Sequence, residues 1–203
     1  REIAPRFSVA CKDELARTDG REWHLVVRNV FSSVADSRSL IASVIPRAGV
    51  GNSLTIIQNR FGAEGQAVLL CLLNSYLIDF IVREKSTGSN LNFFVSRQIP
   101  LPTPPWLKSQ PSPDSGQSLW HWLAQTGAEL AHTSDSMTPF FRAVTGCISV
   151  PTFDKNRRWQ LQAEVDAMTF RMFNLSDTDV ELVFSGFPVQ RRLECQKYSD
   201  WLS

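Results

Sequence analysis

Residues 64–84 constrain the fold more than any other part of the chain. Within them lies its longest apolar stretch, 67–82, interrupted only by Asn74, Ser75 and Asp79. The stretch is short for a membrane span. Its composition predicts a helix over 64–84 that is apolar on nearly every side and so buried on nearly every side. Glu64 near its start and Arg83 and Lys85 near its end suit the helix dipole. Such a helix needs other elements wrapped around it. Three segments that read as strands precede it: 23–30, 39–45 and 54–57, all rich in β-branched and apolar residues. Pro46 stops the second, and Gly49, Gly51 and Asn52 mark the turn before the third.

Beyond the helix the punctuation changes. Thr87, Gly88, Ser89 and Asn90 end it, and residues 91–101 read as extended before the run of Pro100, Pro102, Pro104 and Pro105. A Pro/Ser/Gly-rich stretch at 110–117 reads as a surface loop. Helical patterns follow at 118–132 and 157–173, separated by a polar break at 133–138, and Ser176 is placed to cap a short helix through Phe184. The expected architecture is α+β: a small mixed β-sheet with a buried central helix, followed by a helical C-terminal appendage. The expected parts are an α+β core at 1–106, a linker at 107–117 and a helical part at 118–203.

Composition excludes several classes. The chain is 43% hydrophobic and 20% charged, with a net charge of +1, so no global basic signature advertises nucleic-acid binding. Cys11, Cys71, Cys147 and Cys195 form no CxxC pair, which excludes zinc-finger spacing and leaves reduced thiols and a cytoplasmic location as the expectation. The chain opens on Arg1 without a signal-peptide pattern and reads as a fragment of something longer.

Three segments carry a family resemblance. The first is Val27-Arg28-Asn29-Val30 followed by Asp36-Ser37-Arg38-Ser39-Leu40-Ile41-Ala42 and Ile45-Pro46. The second is Leu73-Asn74-Ser75, then Asp79 and Arg83, then Gly88-Ser89-Asn90-Leu91-Asn92 and Ile99-Pro100-Leu101-Pro102. The third is Glu164-Val165-Asp166-Ala167, then Asn174-Leu175, then Phe187-Pro188-Val189 with Arg191 and Arg192. In this order they resemble the C-terminal target-recognition regions of Eco57I/TaqI-like adenine-specific DNA methyltransferases, of the kind found in type IIG restriction-modification and phage-defence systems. The second also resembles the recognition domains of type I restriction specificity subunits. The resemblance implies a domain that binds double-stranded DNA and positions it for a catalytic methyltransferase domain elsewhere in the parent chain. That parent would use S-adenosylmethionine to methylate adenine N6. Val27, Asn29, Ser39 and the Phe173-Asn174 pair depart from the residues usual in that family.

Catalytic residues are not expected in this chain. Thr103-Pro104-Pro105-Trp106 comes near the Pro-Pro-aromatic loop that holds a flipped adenine, but Thr103 is not a normal first residue of it and the position is wrong. Gly49-Val50-Gly51 is only a short turn, so no cofactor is expected here. His24, His121 and His132 are scattered and form no metal motif. Glu164 and Asp166, two apart on a helix, face different directions; Asp166 reads as a structural contact and Glu164 as solvated.

Candidate DNA contacts sit on three loops. Residues 32–38 hold Arg38; 47–52 hold Arg47 and Asn52, with Arg60 beyond; and 83–97 hold Arg83, Lys85, Ser86, Ser89, Asn90, Asn92 and Arg97, the densest run of donors. Each also has a structural reading: Arg83 and Lys85 as helix caps, Asn90 and Asn92 as turn formers. The rival from another class is a protein-interaction module that docks to a nuclease, helicase or other defence-system subunit. The helix at 157–173 and the Arg191-Arg192 pair are candidates for packing on the parent catalytic domain. No membrane is expected as a partner.

Overall fold

The computed structural model describes residues 21–32, 36–86, 88, 90–113 and 116–190. Ser89, Thr87, Cys11, Cys195, Arg191 and Arg192 lie outside these described residues. Among them, β1 (Trp23–Arg28), β2 (Ala42–Pro46) and β3 (Leu54–Ile57) form one sheet in the order β2-β1-β3. The expected α+β class is present. The sheet is antiparallel on both sides of β1, however, not mixed: Leu25 pairs with Val44 on one edge and with Ile57 on the other. Residues 47–53 must therefore run the length of β1 to start β3 in the same direction as β2. Seven extended residues reach roughly 23 Å, enough for this. The second strand starts at Ala42 rather than Ser39, because the N–H groups of Ser39 and Leu40 bind Asp79 instead of a strand.

The expected buried helix is two helices. α1 (Gly62–Leu73) and α2 (Tyr76–Lys85) meet at a bend of 68°. Asn74 ends α1, and Ser75 caps α2 by accepting from the Ile78 N–H. Among the described residues no single helix is long and apolar enough to cross a membrane; only α1 and α2 taken together meet that test, and they are bent apart. The sheet face of Leu25, Val27, Ala42 and Val44 shares one apolar core with α1.

Between 91 and 101, the expected extended segment contains a short helix, α3 (Phe93–Ser96). The proline run opens another, α4 (Pro104–Ser109), with prolines at its first positions, where a missing N–H costs nothing. The helix expected at 118–132 is α5 (Leu119–Ala131), capped by Ser118. The polar break holds a 3-10 turn (Asp135–Met137) that leads into α6 (Thr138–Thr145), again opened by a proline and closed by Gly146 in the left-handed region at φ 69°. The helix expected at 157–173 is α7 (Lys155–Met172), and Ser176 caps α8 (Asp177–Ser185) in a reciprocal box with Asp179.

α5 crosses α1 backbone to backbone. A Cβ on Gly127 would lie 2.3 Å from the Ala67 carbonyl oxygen, so only glycine allows this approach. Across the 107–117 segment the core is continuous: Leu25, Val68, Leu123, Phe140 and Val165 belong to one cluster. A second, smaller cluster of Leu77, Val183 and Phe187 joins α2 to α8.

Candidate nucleic-acid interface

The kink between α1 and α2 organises the end of the molecule where the candidate loops lie. Asn74 turns its side chain onto β2 and makes both hydrogen bonds a neighbouring strand would make: Nδ2 donates to the Ala42 carbonyl and Oδ1 accepts from the Ala42 N–H, each at 3.0 Å. Asp79 has no exposed surface. Its Oδ1 accepts from Ser39 N at 3.0 Å and Leu40 N at 2.8 Å, while Oδ2 accepts from Arg38 Nε at 2.5 Å. Arg38 also donates to the Asn74 carbonyl and lies 4.3 Å from the centre of the Tyr76 ring. Asp166 on α7 accepts from the Tyr76 N–H at 2.7 Å. Burial pushes the Asp166 carboxyl up to about 6, against the opposing pull of the Tyr76 N–H and Arg38. Arg83 donates to the carbonyls of Asp36, Ser37 and Gly186, and its guanidinium lies 4.6 Å from the centre of the Phe187 ring. Desolvation lowers its pKa, with Asp79 opposing. The three segments that carry the family resemblance thus meet in space, at one network.

Two of the candidates turn inward. Arg38 and Arg83 were expected on DNA-facing loops, but both are held inside the scaffold by backbone carbonyls, aromatic rings and, for Arg38, Asp79. Only 8% of the Arg83 surface is exposed. They fix the 36–40 loop instead of reaching outward.

Asn29 brings the loops together just past the end of β1. Its N–H donates to the Ser53 carbonyl at 2.8 Å, and its own carbonyl accepts from Leu91 N at 2.7 Å. Its side chain donates to the Asn52 carbonyl at 3.0 Å and accepts from the Thr55 hydroxyl at 2.6 Å. Val30 and Asn90 form an isolated antiparallel bridge beside it. On the other side, Arg28 donates to the Arg38 carbonyl and pairs with Asp36 at 3.0 Å. Asn52, Asn90 and the start of the 91–97 segment are therefore neighbours. Arg47 and Arg60 are not: Arg47 follows the residue paired with Trp23 and donates its N–H to the Glu22 carbonyl, and Arg60 follows the exit of β3 beyond Ile57. Both lie toward the opposite end of the sheet.

The outward-facing part of the candidate surface is the stretch after α2. Lys85 is exposed and donates to Gln98 Oε1 at 3.2 Å. Ser86 turns inward to the Val82 carbonyl at 2.6 Å. Asn92 caps α3, accepting from Val95 N at 2.9 Å, and Arg97 lies 5.4 Å from the centre of the Phe93 ring. Buried Val95 anchors the short helix from below. Above it stand Phe93 and Phe94, 75% and 74% exposed. Sequence reasoning did not single these two out as a site. Their only signal was an apolar run at 93–95 between the mostly polar stretches 86–92 and 96–98.

Elsewhere the chemistry is sparse. Thr103 starts α4, and Trp106 lines a shallow cleft of about 230 Å³ with Pro100, Leu101, Pro102, Met172 and Phe173. Its lining is apolar, without a carboxylate or side-chain amide. His24 is buried in β1, His121 lies beside Gln125 on α5, and His132 faces Thr138. Among the described residues no three His, Cys, Asp or Glu side chains gather where a metal ion would sit. Glu164 accepts from Gln160 at 2.8 Å on the surface of α7. Cys71 is buried, its thiol pushed well above the usual range by desolvation, and Cys147 is exposed.

No family model matches this chain, and no solved structure matches it. A stretch of 128 residues, 61% of the chain, is 29% identical to the aminoacyl tRNA synthase complex-interacting multifunctional protein 2 of Mus musculus. The match spans 40% of that protein's length. This likeness assigns no family to the chain.

Proposed function

We propose that this chain is the DNA target-recognition domain of an S-adenosylmethionine-dependent adenine-N6 DNA methyltransferase of a restriction-modification or phage-defence system, and that it works in the cytoplasm. One observation carries the reading. From Lys85 to Pro113 the chain holds Lys85, Arg97 and Lys108 and not one acidic residue. At the start of that stretch Lys85, Asn90, Asn92 and Arg97 stand exposed on a segment tied to the sheet by Asn29. Cations supply affinity for phosphate, and amides supply hydrogen bonds to base edges. A local basic surface on a chain of net charge +1 suits a domain that leaves the rest of its surface for partners. In this reading the chain recognises DNA and the chemistry belongs to the parent catalytic domain, where S-adenosylmethionine is bound.

The experiment is fluorescence anisotropy with random-sequence duplex DNA at low and moderate salt. Affinity should fall steeply as salt rises, by a log–log slope of about 0.9 for each phosphate neutralised. Absence of binding at low salt would remove the reading.

A second reading, a protein-interaction module, is favoured by a different surface. α7 buries only Leu161, Val165 and Thr169, one narrow stripe. Phe153 and Trp159 are 61% and 47% exposed around its first turns. An apolar surface of this kind fits docking to the parent catalytic domain or to another defence-system subunit. A stable complex with such a subunit in the absence of DNA, read by size-exclusion chromatography, would favour it.

A further inference from the structure

Phe93 and Phe94 are more exposed than any other phenylalanine among the described residues, and they are not on a loose end. Asn90 bridges Val30, Leu91 N donates to Asn29, Asn92 caps the turn, Val95 is buried, and Gln98 Nε2 returns to the Phe94 carbonyl at 3.4 Å. A held mount for two adjacent exposed rings keeps apolar surface in water, surface that a partner would cover. Consecutive residues of a helix point about 100° apart, so the rings diverge as a wedge and do not form one flat platform. Lys85 and Arg97 flank them, and no acidic residue lies between Lys85 and Pro113, although exposed Glu84 adjoins Lys85. A partner that is anionic and has flat apolar surfaces to separate matches both features.

We propose that Phe93 and Phe94 form an aromatic wedge that enters the base stack of bound DNA and opens one base step. The proposal rests on the DNA-recognition reading and adds its mode. Apolar side chains inserted between base pairs unstack them at the expense of stacking free energy. A wedge therefore prefers a duplex in which that unstacking is already done. The cationic flanks hold the neighbouring phosphates while the step is open, and an opened step eases extrusion of a neighbouring base.

The test compares the chain's affinity for a matched duplex and for the same duplex with one central mismatch, for the natural protein and for a Phe93→Ala/Phe94→Ala double variant. Both positions are exposed, so the variant should keep its circular dichroism and its thermal midpoint. The natural protein should bind the mismatched duplex roughly tenfold or more tighter. The double variant should lose that preference, bind the matched duplex with an unchanged salt slope, and no longer raise the fluorescence of 2-aminopurine placed beside the mismatch. Equal binding of both duplexes by the natural protein would overturn the wedge and leave the DNA reading standing. A variant that keeps the mismatch preference, or that loses both duplexes equally, would also overturn it. No binding of either duplex would overturn the wedge and the DNA reading together.

Discussion

A carboxylate without exposed surface persists only when its oxygens are paired, and Asp79 meets that condition with two backbone N–H groups and Arg38. Asp79→Asn keeps the shape but turns an amide donor toward a donor and removes the charge that Arg38 faces. It should cost about 3–5 kcal/mol, read from urea unfolding, because it leaves a guanidinium in a half-buried site without its anion. A loss below about 1 kcal/mol would mean that the network around the kink is dispensable. Asp166 acts in the opposite sense. Its carboxyl titrates at about 6 in the folded chain against an ordinary 3.8, so the folded state holds a proton that the unfolded state releases between those values. Its contribution is full below pH 3.8 and is lost as pH rises through about 6, a difference of roughly 3 kcal/mol. Asp166→Asn retains an oxygen for the Tyr76 N–H and has nothing to ionise. The variant should gain stability relative to the natural chain on going from about pH 4.5 to about pH 7.5, in denaturant midpoints measured at both. An equal offset at the two pH values would show that Asp166 does not titrate as its surroundings dictate.

At the scale of elements, the α1–α5 crossing is the contact most open to test. Gly127→Ala improves helix propensity, yet its Cβ would sit 2.3 Å from a backbone oxygen that cannot swing away. The two helices would have to separate, and the variant should lose about 1–3 kcal/mol in the same unfolding experiment. How far the elements were legible depended on whether their signals were local. Ser176 announced α8 because a cap is a short-range hydrogen bond, and the periodic apolar pattern of 118–132 announced α5. The break at Asn74-Ser75 was written there too, as an amide that ends one helix and a hydroxyl that starts the next, but the surrounding hydrophobicity read as one helix. α4 was passed over because its prolines read as a stop, where a proline in the first turn is a start, and α6 went unread behind the polar break at 133–138. The direction of β3 depended on where residues 47–53 travel, which no local pattern encodes. The candidate site divided in the same way. The 83–97 segment was legible from its density of donors, whereas the inward turn of Arg38 and Arg83 depended on Asp79 and Gly186, far off in sequence.

For the whole molecule, the sheet has two ends, each with a pair of cations, and the DNA reading assigns the contact to one of them. Lys85 and Arg97 stand past the C-terminal end of β1, among Asn52, Asn90 and the exposed rings. Arg47 and Arg60 lie toward its other end, six residues of extended chain away. Reversing Arg83 along with the loop cations would confuse the test, since Arg83 holds Asp36, Ser37 and Gly186 in place. The informative pairs are therefore Lys85→Glu/Arg97→Glu and Arg47→Glu/Arg60→Glu, each changing the net charge equally. If DNA lies across the 83–97 segment, the first pair should weaken binding to all sequences alike and reduce the slope of log affinity against log salt by about 2. The second pair should shift affinity only slightly, through the long-range field, and leave the slope within about half a unit of its original value. Both effects are read in one anisotropy titration series. Equal losses from the two pairs would mean that the duplex runs along the sheet and not across its end, and a loss confined to the second pair would move the interface to the far end, away from Phe93 and Phe94.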